Sequence, residues 1–135
     1  MQRDNKWLKY RLETIWEKHF PDVGVLNNVF VKFGRPSMTR LGSIKSGQIK
    51  ENTIITINGH FKDQEIPEFV VDAVLAHELT HYAHGFFSPH ERSQRFPHKG
   101  GVVKNEMIDR GLQNLLKLEK KWIKENWREY IKKTR

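Results

Sequence analysis

His77-Glu78-Leu79-Thr80-His81, inside the longer run Val74-Leu75-Ala76-His77-Glu78-Leu79-Thr80-His81-Tyr82, sets two imidazoles four residues apart with a carboxylate between them. On a helix, positions four apart stack on one face, so both rings can grip one metal ion from the same side. Glu78, one residue on, lies close enough to act on a water at that ion without ligating it. The flanks predict the helix: Ile66 to Phe87 reads as roughly five to six turns, with Pro67 in the first turn, where its missing N–H costs nothing. Phe69, Val70, Val74 and Leu75 give it an apolar stripe. Asp72, His77, Glu78 and His81 interrupt that apolar segment, and burying so many polar groups is costly unless a cation or partner offsets it.

Outward from this helix, the chain alternates between helical and strand periods. Asp4 to Phe20 reads as a helix, with Trp7, Leu8, Leu12, Ile15, Trp16 and Phe20 at three- and four-residue spacing and Pro21-Asp22 as its stop. Val25 to Phe33 reads as a strand around Val29-Phe30-Val31, ended by Gly34 and Pro36. Leu41 to Ile49 is a weaker strand, with Gly42 and Ser46-Gly47 as turn or bulge signals. Asn52 to Asn58 is the clearest strand, rich in Thr and Ile and closed by Asn58-Gly59; Ser46-Gly47 would join these two as a hairpin. A final helix spans about Val103 to Lys133, with Leu112, Leu115, Leu116, Trp122, Ile123, Trp127, Tyr130 and Ile131 on its apolar face and Gly111 as a kink or break. The expected architecture is α+β: three main helices on a small antiparallel sheet of about three strands, with the His-Glu-His helix central. Trp7, Trp16, Trp122 and Trp127 all fit helical stripes and are expected as core anchors.

The 135 residues form one domain's worth of chain, 37% hydrophobic and 30% charged, and carry no cysteine. Neither a disulfide framework nor a cysteine-based metal site is therefore possible. No apolar run approaches the roughly 20 residues that cross a bilayer. Met1 to Tyr10 is polar, without the apolar stretch of a secretion signal, which makes a cytoplasmic protein the expectation. The net charge of +8 suits an anionic partner such as nucleic acid, and it also favours solubility. Part of it lies in the stretch Lys117 to Arg135, where Lys117, Lys120, Lys121, Lys124, Arg128, Lys132, Lys133 and Arg135 outnumber Glu119, Glu125 and Glu129. A solvated helix face and a nucleic-acid surface both fit that pattern.

A catalytic metal site of this kind takes three protein ligands and keeps one position open. His77 and His81 supply two. His98 is the leading candidate for the third, because it follows a loop long enough to turn the chain back, and Gly100 and Gly101 behind it allow close approach. Glu106, His90 and Glu91 are the other candidates. His84 shares the helical face of His77, but seven residues of helix set them roughly 10 Å apart, too far for one ion. As oxyanion donors, Arg40, His60, Tyr82, His84 and His90 all stand as candidates.

Three segments together resemble the SprT-like metalloproteases, the family that includes Spartan-type DNA–protein crosslink proteases. They are Arg40-Leu41-Gly42-Ser43 leading to Ile55-Thr56-Ile57-Asn58, then Val74 to Tyr82, then Pro97-His98-Lys99 with Val103-Lys104 and Met107. The likeness covers about residues 25–110. It implies a zincin-like fold, Zn2+ held by His77, His81 and His98, Glu78 as general base, and cleavage of peptide bonds, including those of DNA-bound or DNA-crosslinked proteins. On that reading residues 1–24 are an N-terminal helical segment, 25–110 the catalytic core and 111–135 a basic amphipathic helix. Val103 stands where the family usually has an aromatic, and the cysteine-rich module of many bacterial relatives is absent from this sequence. DNA targeting would then fall to the catalytic domain and its basic helix. The alternative from a different class is a non-catalytic nucleic-acid-binding protein whose histidines hold a structural metal.

Overall fold

The computed structural model describes residues 2–49, 51–92 and 101–134. Helix α1 (Asn5–His19) begins where the Asp4 carboxylate accepts the Trp7 N–H at 2.8 Å, an N-cap contact that satisfies one otherwise orphaned donor. Leu8, Leu12 and Ile15 make its buried stripe. Strands β1 (Asn28–Phe33), β2 (Gly42–Ser46) and β3 (Asn52–Ile57) follow, then a 3-10 turn (Gly59–Lys62) and helix α2 (Glu68–Ala83). Helices α3 (Val102–Asp109) and α4 (Gln113–Trp122) complete the chain, α4 running through a π-helical stretch (Ile123–Trp127) into α5 (Arg128–Thr134). Backbone angles at Ile123 and Arg128 are right-handed helical, so α4 to α5 is one rod.

The class is α+β, as expected, but two of its details differ. The sheet is mixed rather than antiparallel: its order is β1-β3-β2, with β1 parallel to β3 and β2 antiparallel to β3. The β2–β3 hairpin forms in the register that pairs Gly42 with Ile57 and Ser46 with Thr53. β3 then fills the place between β1 and β2, which residue alternation within a strand cannot reveal. Among the described residues four helices, counting the rod once, replace the expected three, because the last segment breaks at Gly111. Gly111 has φ 82°, and its N–H and that of Leu112 bond Ile108 and Met107 carbonyls, both at 3.0 Å. This is a Schellman end, which demands a left-handed residue and so stops a helix that apolar periodicity alone would carry on.

Helix α2 ends the same way. Gly85 has φ 85°, its N–H bonds the Tyr82 carbonyl, and the Phe86 N–H reaches back to His81, both at 3.0 Å. The helix therefore stops short of the expected Phe87, and it starts after Pro67, which serves as its N-cap. α2 is the spine of the molecule, packed against α1, α3, α4 and the sheet. Val70, Val71, Val74, Leu75, Leu79 and Tyr82 are all buried, alongside Ile55 and Ile57 of β3, Leu8 and Leu12 of α1, and Met107 of α3. At about 1.5–3 kcal/mol for each large side chain fully buried, such a cluster fixes the helix in place. Asp72, one of its polar interruptions, is held in a two-pronged ion pair by Arg11 of α1 at 2.7 and 2.9 Å. The four tryptophans sit half-buried against this core. Among the described residues no helix is long and apolar enough to cross a membrane.

Candidate metal centre

On adjacent turns of α2, the His77 and His81 side chains converge until their Nε2 atoms are 3.1 Å apart. Two ligands of a tetrahedral ion with bonds near 2.05 Å would stand roughly 3.3 Å apart, so the spacing fits a shared cation. His77, Glu78 and His81 form a group able to hold a metal ion, each offering a donor atom within 4.8 Å of the others. Glu78 is only 4% exposed, and its Oε2 has no hydrogen-bond partner. Burial pushes the Glu78 carboxyl up to about 7, an effect the positive charge of Arg40 partly offsets. A buried carboxylate without a donor is destabilising alone, and a cation beside it relieves that cost.

The group opens onto a cleft of about 760 Å³. Thr39 to Ile44, at the start of β2 and just before it, form one wall, and Val74, His77, Glu78 and His81 form the floor. Phe86, Phe87 and, from α4, Glu119 also line it. β2 is a sheet edge, so backbone groups on its outer side face no neighbouring strand among the described residues. The segment carrying Arg40 is organised by Asn58, which is 4% exposed. Its side-chain amide donates to the Ser37 and Arg40 carbonyls at 2.7 and 2.8 Å, and its oxygen accepts from the Ser37 and His60 N–H groups at 3.2 and 2.9 Å.

His84, Glu106 and His90 are engaged elsewhere. His84 Nε2 meets Glu106 Oε1 at 3.1 Å, and the other oxygen of Glu106 accepts from Arg110 at 2.8 Å. Glu106 is thus engaged with His84 and Arg110 and does not line the cleft. His90 Nε2 lies 2.6 Å from the Gly24 carbonyl, and its ring packs edge-on to Tyr82. His98 lies outside the described residues. Of the five candidate oxyanion donors only Arg40 lines the cleft: the Tyr82 hydroxyl donates to Asn27 at 2.7 Å, and the His60 ring is set against Trp127 and Tyr130.

Three residues of this site were not singled out in the sequence. Asn58 reads as turn chemistry and Phe87 as the last helical residue, whereas Glu119 reads as one acid among many lysines. The available signal for Glu119 was positional: it falls in the stripe of Leu115, Leu116, Trp122 and Ile123, where an apolar residue is due. Burial alone pushes its carboxyl up to about 7. No family model, curated protein or solved structure matches this chain significantly.

Proposed function

We propose that the protein is a zinc-dependent endopeptidase of SprT-like type, with the zincin-like arrangement in which the metal helix underlies an edge strand. The observation that carries this is the convergence of two imidazole nitrogens to 3.1 Å beside a buried carboxylate, on the floor of an open cleft. The open cleft favours catalysis over a structural metal, which takes a closed shell. His77 and His81 would hold the ion, with His98 as the third ligand. Zinc bound there would polarise a carbonyl and bring the pKa of a water to about 7.

The protein's own groups supply the rest. An extended substrate pairs with the free edge of β2, using backbone hydrogen bonds that read little sequence. Glu78, poised at the cleft floor, takes the proton from the attacking water and delivers it to the leaving amine. Arg40 donates to the oxygen that gains charge at the scissile carbonyl, held in reach by the Asn58 contacts. Exposed Lys117, Lys120, Lys121, Lys124 and Arg128 line the outside of the C-terminal rod. They support DNA as a partner, and DNA-bound or DNA-crosslinked proteins as substrates.

The test is cleavage of an unfolded protein, with and without DNA, by the zinc-loaded chain. Cleavage should stop on chelation and return with zinc, and Glu78→Gln should lower it roughly 10²–10⁴-fold while keeping the metal. A folded, metal-bearing Glu78→Gln protein that cleaves as fast as the parent would remove the proposal.

A further inference from the structure

We propose that Glu119, with Phe86 and Phe87, forms a subsite of the cleft that takes an aliphatic cation, the side chain of a lysine or arginine in the bound polypeptide. This rests on the reading of the cleft as a peptide-binding groove. Glu119 lies on the inward stripe of α4, and its neighbours three and four residues away are Leu115, Leu116, Trp122 and Ile123. None of them pairs with its carboxylate, and among the described residues no hydrogen bond or ion pair engages the Glu119 side chain. A half-buried carboxylate facing a cleft without a partner is costly, and that cost is relieved when a cation arrives. Glu119 lines the same cleft but is not one of the three residues whose donor atoms gather within 4.8 Å, so it is distinct from the candidate metal group.

The second observation is the pair of aromatic residues in the cleft lining. Phe87 is the one described non-glycine residue with positive φ, at 53°, a conformation that costs about 1–2 kcal/mol for a residue with a β-carbon. It is held there by the Thr53 hydroxyl, which donates to the Phe87 carbonyl at 2.6 Å, and the residue stays 53% exposed. Strain that keeps an apolar ring in solvent at a cleft marks a contact surface. The neighbouring Phe86 ring already carries the Arg92 guanidinium at 4.3 Å, within cation–π range. Aromatic and aliphatic walls with one anionic group match a long methylene stem ending in a charge. Arg40 also lines the cleft, and its positive charge disfavours a cation settling beside it.

The experiment uses the full chain carrying Glu78→Gln and loaded with zinc, so that bound peptide survives. Fluorescein-labelled peptides differ at one scanned position, lysine against norleucine, which keeps the stem and removes the charge. At one register the lysine peptide should bind roughly tenfold more tightly by anisotropy. Adding Glu119→Gln should erase the difference, and Glu119→Lys should invert it in favour of a glutamate peptide. Equal binding of lysine and norleucine at every position overturns the subsite, and that comparison needs no change at Glu119. A preference that survives Glu119→Gln, or loss of zinc on that substitution, also overturns it. Failure of every peptide to bind sinks the groove as well, whereas selective binding without cleavage by the Glu78 protein sinks only the peptidase reading.

Discussion

Among single residues, the pair His77 and His81 was legible because helical period and ligand chemistry are both local. Asn58 was not, because its four partners come from a loop some twenty residues earlier and from the turn after it. Replacing Asn58 by Ala leaves the Ser37 and Arg40 carbonyls and two N–H groups without their buried partner. The expected loss is about 2–3 kcal/mol in denaturant unfolding, given about 1–3 kcal/mol for a stranded buried group and partial rescue by water. On the proposed function, peptide cleavage should fall as well, since Arg40 loses its anchor. A change below about 0.5 kcal/mol would mean that the loop is held by other contacts.

At the level of elements, spans that depend on neighbouring residues were read closely: α1 and β3 fall within a residue or so of expectation, and the β2–β3 hairpin forms. Strand direction was not readable, because β1 pairs with β3 across an intervening strand and alternation carries no sign of parallel or antiparallel. Gly42 was read as a turn signal. Its role is spacing, since a β-carbon there would lie 2.6 Å from Val74 Cγ1, where β2 crosses α2. Gly85 sets the end of α2, and a β-carbon on it would meet the His90 carbonyl at 2.6 Å. Gly85→Ala should therefore destabilise the protein by at least about 1–2 kcal/mol, from the left-handed conformation alone. Thermal unfolding checks this, and an unchanged midpoint would contradict the Schellman end of α2.

For the molecule as a whole, charge governs two predictions. Arg110 hydrogen bonds hold the Asp22 carboxyl below its ordinary value, and the Glu65 N–H does the same for Asp63. Burial opposes ionisation of Glu106, but its His84 and Arg110 contacts outweigh that and lower it too. Depressed carboxyls bind fewer protons folded than unfolded, so their stabilisation is present above about pH 4.5 and drains away as pH falls through their folded values. Unfolding free energy measured from pH 5 to 2 should drop, and the drop should shrink in Asp22→Asn. The basic rod predicts DNA affinity that falls steeply between 50 and 200 mM salt, as counterion release requires; a flat salt profile would assign those lysines to solubility alone. The central claim is a single cation clasped by two imidazoles of α2, and metal content after equilibrium dialysis tests it most directly. One divalent ion per chain is expected for the parent and for Glu78→Gln, with affinity down at least roughly 100-fold in folded His77→Ala and His81→Ala proteins. A parent chain that retains no ion, or alanine variants that bind it as tightly as the parent, would contradict the account.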